Sequence, residues 1–474
     1  MNTIKYIAGV FCLSLLTACN SWLDVEPETS VDEKKLFSTE QGFKDAISGV
    51  YAEMASSSLY GETLSFEVLD ILAQEYDYEA LDNQYNDYYK LADYDYEYST
   101  NKSRVVSIWN NMYSVIAEIN NILKWIDKNG AVMSTRTMHQ IKGQCYLTRA
   151  YLHYDLLRLF APNVKLAPNE KAIPYVETFG VKPTDRETVA GVIKKVKADI
   201  ETAKSELKDN DPIMQAVPYQ IADKLYEADT YIAVANYYAA DALLARVLLD
   251  EGEYQEAESA AQRVIDSGKF HLLDAEKSIN VPSDSLDYLF NDEQIFAVRN
   301  TEIRTYSENI HLGKVTESSS SRAALPLATN INSIYDGIND DVRLANWVQA
   351  STGYLVKYAK ENKKFYPKQV LLSLSEMYLI VAEAQMRLNE SDALETLNTL
   401  RRTRILNASL SDKGEISQSV LISEMRREFL GEGQLFFQYK RLNSPILNVL
   451  NDVPASNDVF VLPIPENEKE YGNY

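Results

Sequence analysis

The sequence predicts a mainly α-helical protein, in which helical hairpins form a scaffold that carries long irregular loops and a few short strands. Three observations support this fold class. Apolar residues recur at helical spacing over several long segments, small residues mark places where antiparallel helices would touch, and the segments 76–103 and 270–370 lack helical periodicity. Long irregular segments in a compact domain usually carry function rather than stability.

Two capping boxes predict helix starts, one at Ser38 with Gln41 and one at Thr184 with Glu187. Each is followed by apolar residues at a spacing of three or four, and the run behind Thr184 continues for five turns. A third amphipathic segment extends over residues 108–126. These patterns predict amphipathic helices that bury one face.

Two helical pairs share a pattern and predict hairpins. In the first pair, Ala245 precedes Gly252 by seven residues, and in the second pair Ala382 precedes Asn389 by seven. Small residues where two helices touch, with Gly or Asn at the turn, resemble tetratricopeptide units, although any helical hairpin could show them. The segment 145–152 indicates a third unit. Short strands are predicted at 295–298 and 354–358.

The composition excludes several classes of protein. Among 474 residues, 46% are hydrophobic and 24% are charged, which is typical of a globular chain and not of a disordered or fibrous one. The net charge of −22 repels phosphate backbones, and no basic patch is evident, so nucleic acid is not an expected partner. With 3 Cys and 4 His, neither a disulfide framework nor a metal cluster is expected.

The N-terminus has the features of a lipoprotein signal peptide. Lys5 precedes the apolar run 7–16, which is about half the ~20 residues that a membrane-spanning helix needs. The run ends in LTAC, which resembles a bacterial lipobox, in which cleavage before the cysteine leaves a diacylglycerol on Cys19. Two acyl chains make anchoring stable. A plain secretory signal with an incidental cysteine is the alternative.

We therefore expect three parts in the chain. Residues 1–18 are the signal peptide, residues 19–30 form a lipidated tether, and residues 31–474 fold as a single domain. The acidic stretch behind Cys19 resembles the surface-export signals of Bacteroidetes lipoproteins, which implies an outer-membrane location facing the cell exterior. Cys145, inside a helical apolar pattern, is expected to be a small buried hydrophobe.

The segment 76–98 is the most informative for function. It contains eight tyrosines interleaved with Asp, Glu and Asn. A Tyr ring can cover the C–H face of a sugar, and a carboxylate or amide can accept hydrogen bonds from its hydroxyls, so this composition suits saccharide capture. The period-two alternation over 93–98 is equally consistent with a half-buried strand or an extended loop whose tyrosines point inward.

No catalytic or metal-binding motif is evident. The chain lacks a Gly-x-Ser-x-Gly elbow, a His-Glu-x-x-His helix, a Walker loop and a Cys-x-x-Cys pair. Asp93, Asp95 and Glu97 offer oxygens at alternate positions, as calcium loops do, but Tyr98 and Arg104 replace the Gly and Glu that such loops need. The sequence therefore indicates neither an enzyme nor a cofactor.

Eight further motifs, taken in order, carry a family resemblance. They are LFSTEQGF at 36–43, NN at 120–121, LTRA at 147–150, IPY at 173–175, ALLARV at 242–247, SEMYLIVAEA at 375–384, RREFLGEG at 426–433 and LPIP at 462–465. Together with the lipobox, they resemble the SusD/RagB family of Bacteroidetes outer-membrane nutrient-binding lipoproteins over essentially the whole mature chain. QLFF at 434–437 departs from the family, which usually has an Arg and an Asp around this aromatic.

The resemblance implies a non-catalytic binder. SusD-like proteins sit as lids on a SusC-like TonB-dependent transporter and capture glycans or peptides. The family's ligand-stacking aromatics follow the second helix, and a later loop also contributes. On this basis the predicted ligand-binding residues are Tyr78, Asp82, Asn83, Tyr85, Tyr88, Tyr89, Arg304, Tyr306 and His311.

Four hypotheses for function remain open at this point. The first is an oligosaccharide-binding lipoprotein that serves a transporter, and the second is a peptide or protein-fragment binder of the same architecture. The third is a lipid-anchored hydrolase, which would need a buried carboxylate pair or a metal. The fourth is a structural subunit of the complex whose own ligand site has decayed.

Overall fold

The computed structural model describes residues 28–78, 86–216, 218, 230–278, 281–282, 286–312, 325–327, 331–360, 365–407 and 414–471. The helices of the first half are α1 (Glu28–Leu36), α2 (Glu40–Met54), α3 (Val68–Leu72), α4 (Asn86–Ala92), α5 (Ser99–Asn129), α6 (Thr135–Phe160), α7 (Val189–Leu207), α8 (Tyr237–Glu251) and α9 (Tyr254–Ile265). Those of the second half are α10 (Ile303–His311), α11 (Ile331–Tyr335), α12 (Val342–Trp347), α13 (Leu374–Leu388), α14 (Ala393–Arg402), α15 (Gln418–Glu428), α16 (Leu435–Leu442), α17 (Asn457–Phe460) and α18 (Glu466–Tyr471). The mainly α-helical fold class is confirmed.

The strands are short and pair only in twos. They are β1 (Lys171–Pro174), β2 (Arg186–Thr188), β3 (Gln294–Arg299), β4 (Val348–Gln349), β5 (Tyr354–Leu355) and β6 (Lys368–Ser373). β1 pairs with β2, β3 with β6 and β4 with β5, all antiparallel. The strand predicted at 295–298 is confirmed as part of β3, whereas only the first two residues of the one predicted at 354–358 form a strand.

The predicted helix starts are close to the observed ones. Thr39, one residue after Ser38, caps α2 through its side-chain oxygen. The start predicted at Thr184 is wrong by four residues, since Thr188 is the N-cap of α7. Residues 186–188 pair with β1, and this pairing delays the helix.

The two predicted hairpins are α8–α9 and α13–α14. Gly252 ends α8 with φ at +82°, and Asn389 ends α13 with φ at +58°. Both residues adopt the left-handed conformation that Gly and Asn tolerate best, which stops the helix and lets the chain reverse. Ala245 and Ala382 are fully buried, so small side chains let the helices approach.

One hydrophobic core extends from Phe37 to Leu462. Trp109 packs edge-on against Phe160 with ring centroids 4.8 Å apart. Cys145 is wholly buried, and burial raises the pKa of its thiol. None of the helices in the described part of the chain combines the length and hydropathy that a bilayer crossing requires.

Beside β3 lies a buried group of charges that we name the arginine network: Arg343, Arg404, Glu293, Glu424 and Glu428. Glu428 of α15 pairs with Arg343 and Arg404, each at 2.7 Å. Arg404 also pairs with Glu293 at 2.6 Å. These pairs join α12 and α15 to the residues that follow α14 and to the residue that precedes β3, through side chains that solvent barely reaches. Elsewhere Gln434, where the sequence departs from the family pattern, accepts a hydrogen bond from Arg158 at 3.3 Å.

Candidate functional site

The candidate site begins after α3. Asp70 of α3 is buried and anchors this helix to the turn that follows α15. The Asp70 carboxylate accepts hydrogen bonds from the backbone N–H of Gly431 at 2.7 Å and of Gly433 at 3.1 Å. Both glycines have positive φ, at +82° and +67°, so the turn presents two N–H groups to one side chain. This contact joins the turn behind α15 to α3, which leads into the segment 74–78.

That segment forms one wall of an open cavity of about 230 Å³, which we name the tyrosine pocket. The lining residues are Gln74, Tyr76, Asp77, Tyr78, Tyr89, Ala92, Asp93, Asn448, Val449 and Leu450. The pocket therefore joins the tyrosine-rich segment to a loop near the C-terminus.

Gln74 holds the parts of the pocket together. Its side-chain nitrogen donates to the backbone oxygen of Ala92 at 2.7 Å and to the Tyr94 hydroxyl at 3.2 Å. Its side-chain oxygen accepts from Nδ2 of Asn448 at 2.6 Å. The loop that carries Asn448 is closed at its base by a pair of backbone hydrogen bonds between Ile446 and Val453.

The three pocket tyrosines differ in what they offer to a ligand. The Tyr76 hydroxyl donates to the backbone oxygen of Phe66 and that of Tyr78 to the backbone oxygen of Ile71, so both point into the protein. Their rings form a buried floor, and Tyr78 keeps only 7% exposure. Tyr89, on α4, is 50% exposed. It is therefore the pocket tyrosine that presents a ring face to solvent.

The rim combines apolar and acidic groups. Val449 and Leu450, at the tip of the C-terminal loop, are 49% and 60% exposed. Asp77 is half-buried and Asp93 is exposed. An apolar surface beside carboxylate acceptors suits a ligand that has both C–H faces and hydroxyl groups.

Two predicted contacts are corrected by their burial. Tyr88 is 3% exposed, its hydroxyl donates to Glu67, and the Arg104 guanidinium lies over its ring. His311 is fully buried beside Tyr76, and burial lowers its pKa to about 3, so it is neutral. Neither ring has a face to offer, and we exclude both from the candidate site.

The other predicted residues are distributed as follows. Tyr78 and Tyr89 line the pocket, as described above, and Asp82, Asn83 and Tyr85 lie outside the described residues. Arg304 is exposed on α10, where it pairs with Glu308 at 3.2 Å, and it is not among the residues that line the tyrosine pocket.

Tyr306 is half-buried and lies close to Ser57 and Glu62, two residues that line a second, polar cavity of about 210 Å³. Seven polar residues line this cavity: Ser57, Ser58, Glu62, Thr63, Glu67, Arg104 and Ser107. Burial raises the pKa of Tyr306, as do the nearby carboxylates of Glu302 and Glu62. The structure thus does not bring Tyr306 together with Tyr89.

The alternation over 93–98 arises from turns and not from a strand. Tyr94 has φ at +59°, and its hydroxyl donates to the backbone oxygen of Leu72 at 2.9 Å. Tyr96 is buried, and its hydroxyl donates to the backbone oxygen of Val459 at 2.6 Å. The prediction that Tyr94 and Tyr96 point inward is confirmed, whereas no strand forms over residues 93–98.

Sequence reasoning missed the C-terminal wall of the pocket. The signal available was weak: two apolar residues, Val449 and Leu450, between polar turn residues Asn448, Asn451 and Asp452.

Throughout the ranges that the structure covers, no group of three or more His, Cys, Asp or Glu side chains could hold a metal ion.

Two family models match this chain. One, described as starch-binding and associating with the outer membrane, matches residues 21–249. The other, the model of the SusD family, matches residues 287–468. A curated relative, SusD-like protein P2 of Formosa agariphila, is 22% identical, and the match covers 98% of this chain and 95% of the relative.

Solved structures share the fold over nearly the full length. A SusD superfamily protein from Bacteroides thetaiotaomicron has a TM-score of 0.74 at 23% identity, covering 92% of this chain and 98% of its own. A SusD-like carbohydrate binding protein from Bacteroides vulgatus has a TM-score of 0.66 at 14% identity, covering 91% and 96%. With both family models matching in order along the chain, this protein belongs to the SusD family.

Proposed function

We propose that this protein is an outer-membrane surface lipoprotein that binds an oligosaccharide and delivers it unchanged to a SusC-like TonB-dependent transporter. The observation that carries the proposal is the half-exposed ring of Tyr89 at an open cavity, beside Asp77 and Asp93. Membership of the SusD family supports nutrient binding, and the transporter partnership rests on the family resemblance.

A sugar residue would be held by complementary contacts. The ring of Tyr89 covers its C–H face, the two carboxylates accept its hydroxyl protons, and Leu450 shields the edge from water. A cavity of 230 Å³ is smaller than the roughly 300 Å³ of typical ligand pockets, so one sugar unit enters and the rest of the oligosaccharide stays outside. Few contacts imply weak affinity, about micromolar to millimolar, which suits a protein that must release its cargo.

Replacing Tyr89 by Ala is expected to weaken oligosaccharide binding by about two- to tenfold, since a stacked ring contributes about 0.5–1.5 kcal/mol. The melting temperature should stay unchanged because half of the ring is already in solvent. Isothermal titration against a panel of glycans and peptides measures the first effect, and thermal unfolding measures the second.

Tyr366→Ala is the matched control, because Tyr366 is 39% exposed and lies outside the pocket lining. It should leave glycan affinity as in the wild type. Glycan affinity that is insensitive to Tyr89→Ala would contradict the proposed site. Release of shortened sugars by the purified protein would instead favour the hydrolase hypothesis.

A peptide or protein fragment is the second candidate ligand. The exposed apolar pair Val449 and Leu450 favours it, because such a tip could pack against an apolar peptide side chain. Titration of the same panel distinguishes the two ligand classes: binding of peptides without binding of glycans would replace the first proposal with this one.

We also propose Asp82, Asn83 and Tyr85 as ligand contacts. They lie in the segment between Tyr78 and Tyr89, two residues that line the pocket. Their Tyr, Asp and Asn side chains repeat the combination of ring and acceptor groups that the pocket rim presents.

The proposed lipid anchor can be tested separately from ligand binding. We propose lipidation of Cys19, with residues 19–30 as the tether of a single domain over 31–474. Cys19→Ala is expected to move the protein from the membrane fraction to the soluble periplasmic fraction. Cys145→Ala, which changes a buried cysteine, should leave it in the membrane. Membrane retention of Cys19→Ala would contradict the lipid anchor.

A further inference from the structure

A small apolar surface lies in the loop that joins β1 to β2. Val181 is fully exposed and Phe179 is 40% exposed. Nζ of Lys124, on α5, lies 4.5 Å from the centre of the Phe179 ring. We name Phe179, Val181 and the exposed Lys182 the apolar tip. Because the side chain of Val181 contributes nothing to the core, the tip can meet a partner outside the chain.

Lysines flank the apolar tip. Lys124 and Lys128 are one turn apart on α5, and Lys182 belongs to the tip itself. Lysine attracts anionic lipid headgroups, and exposed apolar side chains gain free energy when they enter the boundary between headgroups and acyl chains. An aromatic and an aliphatic side chain among lysines therefore suit a lipid surface.

Two acids near these lysines are engaged by other lysines. Glu177, in the same loop, pairs with Lys195 at 2.8 Å. Lys142 of α6 has a raised pKa because of its hydrogen bond to Glu206 and, more weakly, because Asp127 lies nearby. The net charge of the chain is −22, so an anionic surface repels most of the protein, and the lysine-rich face is the one that can approach it.

The proposed tether leaves the body on the same side. Glu33 of α1 accepts a hydrogen bond from the Trp125 indole of α5 at 3.3 Å. Lys124, which contacts Phe179, is the adjacent residue of that helix. Glu28, the first residue of α1, lies about 8 Å along the helix from Glu33. The start of α1 and the apolar tip therefore lie near the same stretch of α5.

The tether is short. Cys19 precedes Glu28 by nine residues, which span at most about 30 Å even when fully extended. With Cys19 lipidated, as proposed, this side of the body stays close to the lipid surface. Such a short link raises the effective concentration of the surface, so that contacts too weak to act alone become effective.

We propose that the apolar tip inserts into the lipid surface in which Cys19 is anchored, with Lys124 and Lys128 beside anionic headgroups. The inference rests on the lipid anchor of the proposed function and adds an interaction surface to it. The acyl chains keep the protein at the membrane, and the tip determines which side of the body faces the lipid.

Docking of the tip also positions the tyrosine pocket. Arg104, near the start of α5, pairs with Asp87 of α4 at 2.9 Å, and α4 carries Tyr89. Lys124 lies twenty residues farther along α5, which is about 30 Å. The pocket and the apolar tip are thus at opposite ends of α5, and insertion of the tip keeps the pocket away from the lipid.

The test is cosedimentation of the mature chain carrying Cys19→Ala with lipid vesicles. This variant has no acyl chains, so its binding reports the surface of the body. Contacts this weak are lost on the dilution of a cell fractionation, so the vesicles are supplied at millimolar lipid. We expect binding to phosphatidylcholine vesicles that contain about one third phosphatidylglycerol. Pure phosphatidylcholine should bind at least about tenfold more weakly, because each lysine near an anionic surface contributes about fivefold.

Two variants of that chain assign the binding to the tip. Val181→Ser should weaken it by about tenfold or more, since burial of one apolar side chain is worth at least that factor. Its melting temperature should stay unchanged because Val181 is fully exposed. Lys124→Gln/Lys128→Gln should remove most of the preference for phosphatidylglycerol. Leu406→Ser is the matched control, because Leu406 is 38% exposed in the loop behind α14, and it should leave vesicle binding unchanged.

The outcomes separate this inference from the proposed function. No vesicle binding, or binding that Val181→Ser does not weaken, would overturn the insertion of the tip, whereas fractionation of Cys19→Ala and glycan titration decide the lipid anchor and the ligand site independently. If Val181→Ser lost copurification with the transporter in detergent but kept its vesicle binding, the tip would be a protein interface and the proposal would be wrong.

Discussion

Replacing Glu428 by Ala is expected to lower the free energy of unfolding by about 3–5 kcal/mol, one of the largest effects of any single substitution in this chain. Glu428 is the shared partner of Arg343 and Arg404, and both guanidinium groups are fully buried. Without the carboxylate, two cations stay in the interior with less compensation. Denaturant unfolding of the variant measures the loss.

The same network predicts how stability depends on pH. Burial alone would raise the pKa of Glu428, but the guanidinium groups of Arg404 and Arg343 overcome it and lower the pKa to about 2. The unfolded chain binds this proton at about pH 4.5, so the stabilisation is complete above that pH and is lost as the pH falls through 2. Glu428→Gln should remove this part of the acid dependence.

Glu395→Gln provides a matched control at the surface. Glu395 pairs with Arg402 at 2.6 Å, but its side chain is 65% exposed. Exposed pairs contribute at most about 1 kcal/mol. Equal losses for Glu428→Gln and Glu395→Gln would mean that the arginine network does not contribute as we expect.

Replacing Gly433 by Ala is expected to cost about 2–5 kcal/mol and to weaken ligand binding. An added Cβ would lie 2.5 Å from the backbone oxygen of Leu64, and φ is +67°. The left-handed conformation costs about 1–2 kcal/mol and overpacking about 1–3 kcal/mol more. Because the Gly433 N–H bonds to Asp70, a shifted turn also displaces the segment that lines the tyrosine pocket.

Gly268→Ala separates the two contributions. Gly268 has φ at +61°, but no atom lies within 4 Å of an added Cβ. It should show only the conformational cost of about 1–2 kcal/mol and keep full ligand affinity. Thermal unfolding and glycan titration of both variants make the comparison, and equal destabilisation would show that the contact with Leu64 has no energetic role.

The helical scaffold was predictable because its signals are local. Ala245 and Gly252 sit within two turns of each other, and a single residue, Gly252 or Asn389, sets the left-handed stop. The start of α7 was misplaced for a non-local reason: residues 186–188 pair with β1, fifteen or so residues earlier, and strand pairing overrides the capping box.

The tyrosine pocket was only half predictable. Composition drew attention to the tyrosines, but it cannot distinguish Tyr89 from Tyr88, since one faces solvent and the other donates to Glu67. Partners that lie far away in sequence decide burial, as for Tyr96 and Val459. The wall at Asn448 meets Gln74 across 374 positions, a contact that no short pattern encodes.

The closing of the pocket by residues 448–450 has a consequence for biogenesis. A polypeptide synthesised from its N-terminus contains Tyr89 early, but the cavity is not complete until the loop between Ile446 and Val453 has been made and has folded back. A chain cut short before that loop would lack the wall that meets Gln74. If the pocket binds a ligand as proposed, only a chain that includes this loop can present the complete binding surface to it.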